Sequence, residues 1–160
     1  MIMIKEATKD DCELLGKIIR DSFLDVAQRF SLTKDNCPKH PSNCTSSWIE
    51  SDMLRGVQYF ILYMDDHPIG CVGIEQPDAD VCYLERLSVI PEMRGKHFGT
   101  RLVQHALKCA ASKRAGKVSI GIIDEQTELK RWYKKLGFVE RQTKSFAHLP
   151  FTVCLMERDI

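Results

Sequence analysis

The stretch YLERLSVIPEMRGKHFGTRLVQHA, residues 83–106, decides how the rest of the chain is read. It opens as a strand that stops at Pro91 and closes as a helix from Gly99, with Leu102, Val103, Ala106 and Leu107 at helical spacing. Between the two, Arg94 to Thr100 form a basic loop, punctuated by Gly95 and Gly99, that runs into the helix N-terminus. The first N–H groups of a helix lack internal partners and lie at the positive end of its dipole, so such a loop suits a phosphate or pyrophosphate. Arg94 and Lys96 add positive charge there. The same glycines could serve only a turn and a close approach of helix to strand.

Outward from this segment the pattern is regular. Upstream, QYFILYM, IGCVGIE and VCYLERLSV read as three strands joined by short turns, an antiparallel meander. Before them lie a strand over Met1 to Ala7, a helix capped by Asp10 and Asp11 that runs to about Phe30, a long loop from Ser31 to Ser47, and a short helix to Gly56. Downstream, Lys117 to Ile123 is a β-branched strand and Glu125 to Leu136 a helix with Gly137 as its cap. Phe138 to Phe146 and Phe151 to Glu157 read as a closing hairpin. The order is β-α-α-β-β-β-α-β-α-β-β: one α/β domain over residues 1–160, built on a mixed, twisted sheet with helices on both faces.

Composition excludes several classes. At 160 residues, 44% hydrophobic and 28% charged, the chain can bury one core unaided and is neither fibrous nor disordered. Its longest apolar run, Tyr59 to Met64, is far short of the roughly 20 residues a membrane helix needs. MIMIKEATKDD carries no readable secretory signal, so a cytoplasmic protein is expected. Seven cysteines, an odd number scattered through apolar segments, read as reduced thiols. A net charge of +1 removes the simplest argument for nucleic-acid binding. Residues 1–80 carry 8 basic and 14 acidic side chains, and residues 81–160 carry 15 and 8. An anionic ligand would therefore favour the second half and a cationic one the first.

The segment R-G-K-H-F-G, Arg94 to Gly99, resembles the acyl-CoA signature Q/R-x-x-G-x-G/A of the GNAT superfamily of N-acetyltransferases, with His97 where the first glycine stands. A second segment, LKRWYKKLGF from Leu129 to Phe138, resembles that family's fourth-helix signature, with Gln126 in place of the usual asparagine seven positions before the tyrosine. The resemblance implies acetyl-CoA as cosubstrate, an amine as acceptor, direct transfer in a ternary complex, and no metal. It implies that Arg94, Gly95, Lys96, His97, Phe98, Gly99 and Thr100 hold the pyrophosphate. The backbone of Leu87, Ser88 and Val89 would hold the pantetheine arm and polarise the thioester carbonyl, on a strand that splays from its neighbour, with Gln126 also on the cofactor side. Tyr133 would protonate the departing thiolate, its pKa of about 10 keeping it a donor at neutral pH. A core aromatic like Trp132 is the other reading.

An alkyl ammonium has to lose a proton before it attacks, so a base is needed, directly or through water. Period-two alternation puts Glu85 on one strand face with Tyr83, Leu87 and Val89, which makes Glu85 the candidate base and Tyr83 an acceptor-side residue. Glu85 could also pair with an arginine or face solvent. In the family the segment between the first two helices covers the acceptor, which marks His40, Asn43 and Thr45 for specificity. Cys37, His40 and Cys44 form C-x2-H-x3-C, but three ligands fall one short of a closed zinc site. Lys130, Arg131, Lys134 and Lys135 form either a solvated helix face or a seat for the adenosine 3'-phosphate. The acidic first half favours a cationic acceptor such as a polyamine, amino sugar, lysine side chain or protein N-terminus. Two other readings stay open, an inactive CoA-binding module of the same fold and a zinc-dependent interaction domain, as does a homodimer. No membrane or nucleic-acid partner is expected.

Overall fold

A computed structural model describes all 160 residues. In chain order the elements are β1 (Ile2–Glu6), α1 (Cys12–Arg29), α2 (Ser46–Leu54), β2 (Gln58–Met64), β3 (His67–Glu75), β4 (Val81–Val89), α3 (Phe98–Ser112), β5 (Lys117–Ile123), α4 (Thr127–Lys135), β6 (Val139–Ser145) and β7 (Thr152–Asp159). The expected order is found. The cap before α1 differs from expectation: Thr8 and Asp11 form a reciprocal capping box around a 3-10 turn at Lys9–Asp11, and Asp11 makes no side-chain cap to α1 itself.

The seven strands form one sheet in the order β1-β2-β3-β4-β5-β7-β6, antiparallel except where β4 meets β5. Strand β2 shows why two helical layers are needed. Its run Tyr59, Phe60, Ile61, Leu62 is buried throughout, with Tyr59 and Ile61 facing α1 and α2, and Phe60 and Leu62 facing α3. Cys71 joins the α1/α2 core with Leu15, Ile19 and Ile49. Val72, Ile74 and Leu84 join the α3 core with Leu102, Val103 and Ala106. A third, smaller cluster of Ala27, Leu32, Cys37 and Ile123 fastens the end of α1 to the end of β5.

The closing hairpin forms, yet β7 rather than β6 lies beside β5, and β6 is left as an edge strand exposed along its whole length. The central seam is short. Parallel β4 and β5 pair only at Val81–Lys117, Cys82–Val118 and Tyr83–Ser119, and beyond Tyr83 they part.

Candidate active site

The parting of β4 from β5 opens a cleft of about 920 Å³. Leu84, Leu87 and Val89 of β4 and residues 120–123 of β5 form its flanks. The loop from Arg94 to Thr100 lies at one end, Phe23, His40 and Pro41 belong to the α1 side, and Trp132 and Tyr133 come from α4. Because it is lined from both helical layers, the cleft passes through the plane of the sheet.

A bulge in β4 determines what faces it. Gly73 pairs with Glu85 and Cys71 with Ser88, so three steps along β4 oppose two along β3. Arg86, at the bulge, has a φ of 51°, the left-handed region uncommon for a side-chain-bearing residue. The extra residue reverses the alternation. Leu87 and Val89 pack with the α3 core, while Ser88 lies by Cys71 in the α1/α2 layer and its hydroxyl donates to the Arg86 carbonyl. Glu85 is therefore on the opposite face from Leu87 and Val89, which corrects the period-two reading, and it does not line the cleft. Neither an arginine partner nor solvent is its main surrounding: burial and a hydrogen bond with Glu75 raise its pKa to about 8, while Glu75 is lowered. The pair holds one shared proton at neutral pH.

Arg86 was not anticipated. Its Nη1 donates to Asp52 Oδ2 at 2.5 Å and to Tyr59 Oη at 3.0 Å, and its guanidinium lies 5.6 Å from the centre of the Trp48 ring. Asp52 also accepts from Tyr59 at 2.6 Å and from Arg55 at 3.1 Å. The signal in the sequence is Glu85-Arg86, two adjacent charges inside an otherwise apolar central strand, a pattern that strict alternation cannot satisfy.

In the loop, the main-chain N–H groups of residues 95–100 donate to no acceptor in the protein; the first to do so is Arg101, to the His97 carbonyl. Gly95 (φ 76°) and His97 (φ 67°) are both left-handed, so His97 occupies a position that favours glycine and keeps the chain path anyway. Gly99 leaves room for a close neighbour: a Cβ there would come within 3.2 Å of Trp132 Cζ2, and the indole would have to shift by a few tenths of an ångström. The Arg94 side chain is not free for an anion. It turns back onto α1, bonding Asp25 Oδ2 at 2.7 Å and the carbonyls of Ser22 and Val89. The Lys96 side chain is exposed and does not line the cleft.

Tyr133 is 4% exposed, packed edge-on between Trp132 and Phe138, and it borders the cleft. Burial raises its pKa, so the phenol keeps its proton at neutral pH. Gln126 also borders the cleft, at the start of α4 with no capping bond. His40 is buried with Nδ1 2.8 Å from the Ser42 hydroxyl and accepting from the Ser42 N–H, and burial lowers its pKa. The ring is thus neutral and carries its proton on Nε2. Asn43, Tyr83 and Thr45 are not at the cleft. Asn43 donates to the Cys37 and Pro38 carbonyls, Tyr83 is exposed on β4, and Thr45 caps α2. Cys37 and Cys44 belong to different clusters and form no metal-binding group with His40. Lys130 and Lys134 are tied to Glu140 of β6, and Lys130 also to Asp124, so neither is a free phosphate ligand.

The sheet splits between its two parallel strands, and a loop of unpartnered N–H groups lies at one end of the gap. The family model described as Acetyltransferase (GNAT) family matches residues 23–138, and the chain belongs to that family of acetyltransferases. Solved structures agree on the fold. PaiA N-acetyltransferase from Thermoplasma acidophilum, in complex with coenzyme A, superposes with a TM-score of 0.77 at 18% identity, covering 100% of this chain and 99% of that one. YncA of Salmonella typhimurium, a putative acetyltransferase with acetyl-CoA, gives 0.74 at 17% identity over 99% and 94%. A GNAT family acetyltransferase from Elizabethkingia anophelis with acetyl-CoA bound gives 0.72 at 14% over 99% and 98%. No helix in the chain is long and apolar enough to cross a membrane.

Proposed function

We propose that this acetyltransferase moves the acetyl group of acetyl-CoA to a primary amine by direct attack in a ternary complex. The observation that carries the reading is the row of unpartnered N–H groups from Gly95 to Thr100 at the end of the cleft. Six backbone donors together with the α3 dipole suit a pyrophosphate without help from Arg94. The open edge of β4 along Leu87, Ser88 and Val89 then accommodates the pantetheine arm, since a strand that has left its neighbour offers main-chain groups to a ligand.

Acyl transfer breaks the C–S bond and forms a C–N bond, so the sulfur leaves with an electron pair and needs a proton while the amine must shed one. Tyr133, protonated and bordering the cleft, is the donor to sulfur. With Glu85 turned away, water in the cleft takes the proton from the amine. Direct attack is favoured over a covalent enzyme intermediate because none of the seven cysteines lines the cleft, and its one serine, Ser22, gives its hydroxyl to the Ile18 carbonyl.

Steady-state turnover with acetyl-CoA and an amine panel, read by release of CoA thiol, tests this. Amine-dependent release with intersecting double-reciprocal lines is expected. Parallel lines would replace direct attack with a covalent intermediate, and absence of amine-dependent release across the panel would leave a CoA-binding module.

A further inference from the structure

We propose that Arg86 seats a carboxylate of the acceptor, so that the enzyme acetylates small molecules carrying both an amine and a carboxylate, amino acids foremost, in preference to bare alkylamines and polyamines. The inference rests on the N-acetyltransferase reading and names the class of its acceptor. A guanidinium offers five N–H donors in a planar fork that matches a carboxylate in two parallel bonds. Arg86 spends only its Nη1 inside the protein, on Asp52 and Tyr59, and Nε and Nη2 have no protein acceptor. The side chain is about one-fifth exposed and borders the cleft, so a ligand in the cleft can reach it.

The fork is also held in place. Asp52 and Tyr59 fix one end, and the centre of the Trp48 ring lies 5.6 Å from the guanidinium carbon, which reduces the ordering cost of binding. The left-handed bulge puts the side chain at the point where β4 leaves β5, on the α1/α2 side of the sheet. The pyrophosphate loop leads into α3 on the other side. A molecule held by Arg86 therefore meets the gap from the face opposite the donor's phosphates, where an attacking amine has to stand. His40 is on the same side, and its Nε2–H supplies a further donor to an anionic or carbonyl oxygen.

The carboxylates of the cleft give little to attract a polycation. Asp25 is engaged by Arg94, and Glu128 lies in the first turn of α4 across the gap. The charge that an acceptor meets is this local set, and it differs from the acidic balance of the first half of the chain.

The test compares matched acceptors. Leucine, methionine and phenylalanine are each run against their carboxamides with acetyl-CoA at pH 7.5, together with β- and γ-amino acids and spermidine. For the wild type, kcat/KM is expected to be at least tenfold higher for the acids. That preference runs against amine availability, because the carboxamides have the less basic amine. Arg86→Gln and Arg86→Lys should collapse the ratio of acid to carboxamide towards one, with the loss in KM for the acid. Equal rates for acids and carboxamides in the wild type, or a ratio that survives both substitutions, overturns the seat. Calorimetry of the wild type with CoA and either N-acetyl-leucine or N-acetyl-leucinamide needs no variant to fold, and tighter binding of the acid is expected. If no amine is acetylated yet the acid binds in preference, the N-acetyltransferase reading fails and the seat stands. If alkylamines and carboxamides are acetylated as fast as the acids, the reading stands and the seat fails.

Discussion

Glu85 shows how a single half-buried carboxyl sets a pH response. Burial and the hydrogen bond with Glu75 disfavour the ionised form of Glu85, so the Glu75–Glu85 pair keeps one proton at neutral pH. Glu85 holds it, with a pKa of about 8 in the folded protein. An unfolded glutamate titrates at about 4.3. Between these values the native state binds a proton that the unfolded chain has released. The stabilisation from this group is complete below the unfolded range and is lost as pH rises through about 8. Glu85→Gln keeps a donor to Glu75 and removes the titration. Its urea midpoint should gain on that of the wild type as pH goes from 5.5 to 8.5; parallel curves would show an ordinary carboxylate at this position.

Tyr133 carries the complementary prediction for turnover. Removing its hydroxyl in Tyr133→Phe retains the ring between Trp132 and Phe138, so packing is preserved. If the proton is given only as sulfur leaves, kcat and kcat/KM fall together by about 100-fold with acetyl-CoA affinity unchanged, the low end for a general acid because a thiolate leaves readily. Full activity under conditions where chemistry limits the rate would remove Tyr133 from the mechanism.

Among the elements, the loop before α3 shows what one left-handed position demands. His97 accepts a φ of 67°, which costs a residue with a Cβ roughly 1 kcal/mol and a β-branched one more. His97→Gly relieves this but loosens the unfolded chain, so stability should shift by less than about 1 kcal/mol. His97→Val should lose more than about 1 kcal/mol and weaken acetyl-CoA binding, because a shifted loop no longer aligns its N–H groups. Paired thermal melts and calorimetry check both; equal stability of the two variants would mean that the loop tolerates any residue there.

The same elements mark where sequence reasoning succeeds and where it stops. Lys117–Ile123 was legible from β-branched periodicity, and α3 from its stripe of Leu102, Val103 and Ala106. Each depends on neighbours in sequence alone. The Arg86 bulge depends on the register of β3 against β4, and the insertion of β7 beside β5 depends on which edge was free, so neither leaves a local pattern. Arg94 illustrates the limit at the site: the motif shows a cation beside a glycine-punctuated loop, while the side chain is claimed by Asp25, 69 residues away. Tyr133 and the Gly95 to Thr100 backbone were legible because a short motif places them relative to one helix.

At the scale of the whole molecule, the sheet is two sections joined by three residue pairs between β4 and β5. A ligand lodged in the gap touches both sections and binds only the native state, so it stabilises by mass action. Acetyl-CoA at about 100 times its dissociation constant should add about 2.7 kcal/mol, or a rise in Tm of roughly 5–10 °C for a domain of this size. A melting temperature that stays flat to millimolar acetyl-CoA would separate the cleft from the cofactor.

All seven thiols are free, and only Cys109 is more than minimally accessible. Burial holds every one of them above the ordinary thiol range, so reaction with an alkylating reagent waits on exposure. Cys44 and Cys71 lie in the α1/α2 layer, Cys82 and Cys154 in the α3/α4 layer, and Cys37 where α1 meets the end of β5. The chain thus carries a clock in each of its compartments. The order in which these sulfurs become labelled in the native protein records which side of the sheet breathes first, and how far a seam of three residue pairs lets one side open without the other.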